Sequence, residues 1–202
     1  MSELAKLNQE ITKCTKCLLS KCRTNVVPGE GNSSAEIMFI GEGPGYHEDQ
    51  QGRPFVGAAG KFLDELLALI NLKREDVYIA NIIKCRPPGN RDPLPEEVEA
   101  CASWLDKQVA LIRPKLIVLL GRHAMNRFLP KLSISEVHGQ PKRYRGQVYF
   151  PMYHPAAGLY NSSNRPIIEK DFQKIPQVLK KITALKSEEG SIEETDPEQT
   201  LF

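Results

Sequence analysis

Ala35-Glu36-Ile37-Met38-Phe39-Ile40-Gly41-Glu42-Gly43-Pro44-Gly45 is the stretch that decides the fold. Its first six residues form a short apolar run, stopped by a glycine-rich loop. A run of that length bounded by glycine reads as a strand buried on both faces. Two further segments repeat the pattern. Val77-Tyr78-Ile79-Ala80-Asn81-Ile82-Ile83 is rich in β-branched and aromatic residues, and Lys115-Leu116-Ile117-Val118-Leu119-Leu120 again ends on a glycine, Gly121. After a hairpin-like stretch through Arg145-Gly146-Gln147, a last strand from Val148 to Tyr153 leads into His154.

Helical patterns separate these strands. Phe62, Leu63, Leu66, Leu67 and Ile70 recur at helical spacing and predict an amphipathic helix over 60–72. Pro95 opens another, with Glu96, Glu97 and Glu99 near the positive end of its dipole. A short helix follows Gly121, and a closing helix is expected over roughly 167–185. Strands alternating with helices imply one α/β domain of three layers, α/β/α, with a mostly parallel central sheet. In such a domain the site gathers at the carboxyl ends of the strands, where Gly41, Asn81, Gly121 and His154 lie.

The chain has 202 residues, enough for one domain with a core of that kind. No apolar run reaches the length of a membrane span, and the polar start Met1-Ser2-Glu3-Leu4-Ala5-Lys6 carries no leader pattern, so a cytoplasmic protein is expected. The net charge of +2 hides an asymmetry: residues 187–202 hold six acids and no lysine or arginine. Without those six the remaining 27 basic and 19 acidic residues give +8. A basic body over 1–186 suits a polyanion, and the acidic segment 187–202 is expected to be a disordered tail.

Four cysteines point to a metal centre. Cys14 and Cys17 form a Cys-x-x-Cys turn, and Cys85 and Cys101 lie far downstream on either side of a proline-rich loop. A tight pair aims two thiolates at one metal and a distant pair closes the site to four ligands. Zinc and an iron–sulfur cluster both accept that set, so the spacing leaves the metal open. Disulfides fit poorly with the absence of a leader. Free buried cysteines explain Cys101 but not Cys14 and Cys17, which sit among lysines. A redox dithiol usually follows a strand, and this one precedes every strand signal. Cys22 is a fifth cysteine that stands near enough to replace one ligand.

After the first strand come Gly41-Glu42-Gly43-Pro44-Gly45, Glu48, Asp49 and Gly52-Arg53-Pro54-Phe55-Val56-Gly57. Such glycines let backbone N–H groups approach a ligand closely. A nucleotide P-loop is the rival reading, but the Gly-Lys-Ser/Thr ending is missing and Pro44 removes a donor. These two segments, with Asn81 and His154-Pro155-Ala156-Ala157, resemble family 4 uracil-DNA glycosylases. The resemblance covers about Leu4 to Leu185, and the cysteine spacing is similar to that family's [4Fe–4S] site.

That resemblance implies a monofunctional DNA glycosylase of the uracil-DNA glycosylase superfamily fold. It would flip uracil out of DNA, double- or single-stranded, and hydrolyse the N-glycosidic bond, the first step of base excision repair. It implies a [4Fe–4S] cluster on Cys14, Cys17, Cys85 and Cys101. Phe55 would stack on the base, Asn81 would read its edge, and His154 would stabilise charge developing at O2. Glu42 and Gly43 would form the pocket wall. Glu42, Glu48 and Asp49 are the candidates for positioning water, with Glu48 also placed as a filter against the thymine methyl. Relatives often carry more acids where this chain has Tyr46 and His47. Some trap DNA through a histidine in the loop that here reads Lys84-Cys85-Arg86-Pro87-Pro88-Gly89-Asn90-Arg91, which has none, so ordinary turnover is expected.

Arg86, Arg91, Lys142, Arg143, Arg145 and Arg165 are candidates for phosphate contacts, with solvated surface as the alternative. Leu159 and Tyr160 are candidates for a wedge filling the gap left by the flipped base. His47, His123 and His138 read as structural or exposed. The protein is expected to act as a monomer. Excision of another deaminated base such as hypoxanthine, or a non-catalytic, metal-stapled nucleic-acid binder, are the competing functions; Phe55, Asn81 and His154 together argue against the binder. The ending Glu198-Gln199-Thr200-Leu201-Phe202 resembles segments that dock into sliding clamps, but its spacing is short and a second aromatic is missing. A solubilising end explains the same residues.

Overall fold

The computed structural model of the protein describes residues 2–188. The chain begins with helix α1 (Glu3–Thr12), which buries Leu4, Leu7 and Ile11 along one stripe and is capped by the Ser2 hydroxyl. Next come β1 (Glu30–Gly31), β2 (Ile37–Gly41), α2 (Tyr46–Gln51), α3 (Ala58–Leu69) and β3 (Tyr78–Asn81). They are followed by α4 (Pro95–Ile112), β4 (Leu116–Leu120), α5 (Arg122–Phe128) and α6 (Ile134–Val137). The chain continues through β5 (Lys142–Tyr144), β6 (Gln147–Met152), α7 (Pro155–Tyr160), α8 (Asn164–Phe172) and α9 (Ile175–Glu188).

The six strands form one sheet in the order β1-β3-β2-β4-β6-β5. The four inner strands are parallel, and β1 and β5 close the two edges as antiparallel partners. Residues 37–40 show why the run is continuous in apolar character. Ile37 and Phe39 face one core with α3, α8 and α9, while Met38 and Ile40 face the other with α1, α4 and α5. Both faces are covered, so neither tolerates a polar position. The expected three-layer architecture with a mostly parallel sheet is the one observed.

The chain leaves β2 for β3 on one side and returns to β4 on the other. Connections diverge at that point, the place past the carboxyl ends of the strands where open α/β sheets hold their ligands. Gly41 pairs with Asn81 in register at that rim, and β4 and β6 end together at Leu120 and Met152.

Two expectations differ from the structure. The closing helix is two helices, α8 and α9, broken at Gln173 and Lys174. Pro176 explains the break, because a proline lacks the N–H needed inside a continuous helix and clashes with the preceding turn. Strand β3 ends at Asn81 rather than Ile83, although Ile82 and Ile83 still donate to the carbonyls of Gly41 and Glu42 at 2.9 and 3.2 Å. The acidic tail, apart from the end of α9, and the proposed clamp segment lie outside the described residues.

Candidate active site and cysteine cavity

Gly41 ends β2 where no side chain fits. A Cβ there would stand 2.5 Å from Asn81 Oδ1 and 2.7 Å from Phe55 Cζ. The glycine therefore lets the strand end, the amide and the ring converge. Asn81 is 2% exposed, and its Oδ1 is the one buried side-chain polar atom without a hydrogen-bond partner among the described residues. A buried acceptor left alone costs about 1–3 kcal/mol, so such an atom signals a missing donor.

Phe55 is held in a conformation that L-residues rarely adopt, with φ at +53°. Arg74 pins it by donating to the carbonyls of Phe55 and Pro54 while pairing with Glu30 at 2.8 Å and Asp64 at 2.6 Å. Gly60, in the first turn of α3, makes room for this bend, since a Cβ there would come 1.8 Å from the Phe55 carbonyl oxygen. The ring is buried and stacks on His154, with centroids 5.5 Å apart and planes 26° from parallel.

His154 is the N-cap of α7, with Pro155 as the first helical residue. Its Nδ1 accepts from the Ala156 N–H at 3.1 Å. In the neutral ring the proton then sits on Nε2, which becomes a donor. Packing around the imidazole lowers its pKa to about 4, against a smaller opposing pull from Glu48, although part of the residue remains accessible. Gly121, at φ +90°, lies against it: a Cβ there would be 3.1 Å from His154 Cβ.

The acids near the glycine loops divide by what they touch. Glu48 in α2 accepts from the N–H groups of Val56 at 2.8 Å and Gly57 at 2.9 Å through Oε1, and of Gly45 at 3.1 Å through Oε2. It thus joins the two glycine-rich segments. Asp49 is 2% exposed and accepts from Thr24 and Asn25 N–H at 2.8 and 3.2 Å. Glu42 makes no comparable backbone bonds. Burial pushes its carboxyl above the usual range, His123 and Arg122 pull it down, and Asp92 pushes it up. Gly43 beside it packs on Ile83, whose Cγ1 would lie 2.7 Å from a Cβ.

On the opposite face of the sheet, Cys14, Cys17, Cys85 and Cys101 line one cavity. Cys22 is exposed and outside it. Hydrogen-bond donors point at the sulfurs: Trp104 Nε1 to Cys14 at 3.1 Å and Arg23 to Cys85 at 3.0 Å. Burial raises the Cys101 thiol to about 11, opposed by the adjacent Lys84. Lys84 is 1% exposed, and its ammonium donates to the Asn81 carbonyl at 2.9 Å and to Gln108 at 2.7 Å. One buried cation therefore spans the distance from the cysteine cavity to the strand end that carries Asn81.

The family model described as the uracil DNA glycosylase superfamily matches residues 28–181. The chain belongs to that superfamily. It is 51% identical over 187 residues to a type-4 uracil-DNA glycosylase of Archaeoglobus fulgidus, covering 88% of this chain and 94% of the relative. It is 49% identical over 191 residues to the type-4 enzyme of Saccharolobus solfataricus, covering 89% and 88%. It is 48% identical over 188 residues to that of Sulfurisphaera tokodaii, covering 88% and 86%. The resemblance drawn from the glycine loops and cysteines is to this same group, and the chain is a type-4 member of it.

Seen as a glycosylase-family chain, its surface arginines are mostly engaged. Arg91 forms a two-pronged pair with buried Glu97 at 2.6 and 2.9 Å. Arg165 pairs with Glu65 at 2.5 Å and Glu169 at 2.9 Å, over the Phe62 ring. Arg86 donates to Asn90 Oδ1 at 2.6 Å and lies over the exposed Tyr46 ring. Leu159 and Tyr160 close α7, just after His154, and are 46% and 91% exposed. Sequence reasoning missed Arg74, Asp92 and Lys84, whose roles arise only from contacts distant in the chain. It set His123 aside, yet His123 Nε2 lies 3.8 Å from Glu42 Oε2. No helix among the described residues is long and apolar enough to cross a membrane.

Proposed function

We propose that this protein excises uracil from DNA by hydrolysing its N-glycosidic bond, so starting the repair of deaminated cytosine. The observation that carries the reading is the orphaned Asn81 Oδ1, walled by Gly41, Phe55 and, past Phe55, His154. Uracil N3–H supplies the donor that atom lacks, and the Asn81 amide N–H then faces O4. Cytosine reverses both groups and leaves buried partners unmatched, a mismatch that sites of this type reject by about 10⁴-fold. Phe55 offers the base a stacking face worth about 1–3 kcal/mol.

As the bond lengthens, negative charge grows on the departing base. The neutral His154 ring donates Nε2–H toward O2, and its fixed tautomer means no reorganisation at the moment of reaction. Glu42 is the carboxylate free to hold a water, because Glu48 is committed to three backbone donors and Asp49 to two. Glu48 acts by holding the loops that form the pocket wall. Leu159 and Tyr160 fill the gap left by the base, and Arg86 meets phosphate. Arg91 and Arg165 do so only by exchanging their carboxylate partners.

The four cysteines fit an iron–sulfur cluster better than zinc. A tetrahedral zinc with bonds of about 2.3 Å brings its sulfurs to roughly 3.8 Å from one another. No three of these sulfurs lie within 4.8 Å of one another. Cys14, Cys17, Cys85 and Cys101 would hold a [4Fe–4S] cluster, with Trp104 and Arg23 donating to sulfur. Bound there, it supplies a cross-link between the N-terminal segment, the loop after β3 and α4. The segment Gln199–Phe202 is offered as a sliding-clamp contact, tested by comparing clamp affinity with and without it.

The excision reading is tested by incubating the protein with uracil-, thymine- and hypoxanthine-containing duplexes in chelator, then cleaving abasic sites with alkali. Strand breaks at uracil alone support it. No uracil release, or release only with magnesium, overturns it.

A further inference from the structure

Asp92 and His123 belong to none of the motifs that mark the pocket, yet they stand beside Glu42. Among the described residues, the Glu42 and Asp92 carboxylates and a His123 ring nitrogen form the one trio of metal-ligand-type groups that lie within 4.8 Å of one another. Each is placed by separate structure. His123 sits in the first turn of α5, directly after the tight Gly121–His154 contact. Asp92 sits on the loop before α4, which Arg91 fastens by pairing with buried Glu97 while donating to the Asp92 carbonyl at 2.9 Å. His123 Nε2 is 3.2 Å from Asp92 Oδ2 and 3.8 Å from Glu42 Oε2.

We propose that Asp92 and His123 are positioning residues for Glu42, setting the charge of the carboxylate that holds the attacking water. This rests on the role of Glu42 given above. The charged groups facing Glu42 are His123 and Arg122 from α5 and Asp92 from the loop before α4. Arg122 donates to Asp92 Oδ2 at 2.7 Å, so that carboxylate is already engaged by a guanidinium. That argues against a cation held by the trio and for a set of opposed charges around Glu42. Asp92 Oδ2 and Arg122 Nε both meet His123 Nε2, at 3.2 and 3.0 Å, and the imidazole in its charged form favours ionised Glu42. Asp92's own charge opposes that ionisation, in the same direction as burial. The two neighbours therefore act on Glu42 with opposite sign.

The opposite signs make the test specific. The Glu42 side-chain carboxyl, labelled with carbon-13 and assigned by Glu42→Gln, is titrated by NMR in the full chain and in His123→Asn and Asp92→Asn. Single-turnover uracil release is followed over the same pH range. His123→Asn should raise the Glu42 midpoint and Asp92→Asn should lower it, each by about 0.5–1 pH unit, the size set by unit charges near 4 Å in a largely aqueous setting. The acid limb of the rate should move with it. Midpoints that stay fixed, or that move in the same direction, overturn the proposal. Should His123→Asn fail to fold, His123→Gln carries the same expectation. Opposite shifts without uracil release in the parent would keep the opposed-charge arrangement and refute the excision reading. Fixed midpoints with normal release would do the reverse.

Discussion

Gly41→Ala is the smallest change that attacks the pocket directly. The added methyl would stand 2.5 Å from Asn81 Oδ1, 2.7 Å from Phe55 Cζ and 2.8 Å from Phe55 Cε2. Ordinary contacts need about 3.5 Å, so amide and ring must each retreat by roughly 1 Å. Neither has an easy path. Asn81 is paired in register with Gly41 across the ladder, and the Phe55 backbone is pinned by Arg74 and enclosed by Gly60. Overpacking of this kind costs about 1–3 kcal/mol. At roughly 2–4 °C per kcal/mol for a chain this size, the thermal midpoint should fall by about 2–12 °C. The rate should suffer more than the stability, because a 1 Å misplacement of a reacting group costs about 10²-fold. Single-turnover uracil release, run well below the variant's midpoint, separates the two effects. A rate within threefold of the parent would refute the packing argument and the placement of the base between Asn81 and Phe55.

His154, Glu48 and the cysteines carry the remaining expected outcomes. His154→Ala should lower the rate of the chemical step by about 10²–10³-fold. Because the folded imidazole titrates near 4 and the unfolded one near 6.5, its neutral form is the active one; the parent rate should stay flat from pH 6 to 8. The unfolded chain binds the extra proton between those values, so this group's contribution to stability is complete above pH 6.5 and is lost as pH falls toward 4. A rate that declines as pH rises through 6.5 would instead assign the imidazolium as donor. Glu48→Ala strands three loop N–H groups and should cost about 2–4 kcal/mol in urea unfolding; an unchanged stability with a lost rate would place that carboxylate at the substrate. Protein purified without oxygen should carry iron and sulfide in roughly equal amounts, lost in Cys14→Ser and Cys101→Ser but retained in Cys22→Ser. One zinc per chain would rule out the cluster.

Much of the fold was legible because the central strands are buried on both faces. The runs 37–40 and 116–120 admit no polar residue, so they stand out without any partner being known. The glycine loops were legible for a related reason: Gly41 and Gly60 mark places where backbone or ring comes too close for a methyl. What stayed hidden was division of labour among similar residues. Glu42, Glu48 and Asp49 look equivalent in the chain, and only the donors from 45, 56 and 57 separate Glu48 from Glu42. His123 carries no local signal, since the carboxylates it meets come from residues 42 and 92. The division of the last helix at Pro176 and helix α1, with Leu4, Leu7 and Ile11 along one stripe, went unread in the sequence.

The central claim is that Asn81 Oδ1 lacks a donor that uracil N3–H supplies. The most direct measurement is the ratio of single-turnover excision rates for uracil and N3-methyluracil at the same position in one duplex. The methyl removes the donor and meets the buried oxygen, so the parent protein should favour uracil by about 10³-fold or more, with Asn81→Ala narrowing that gap. Equal rates for the two bases in the parent protein would contradict the account.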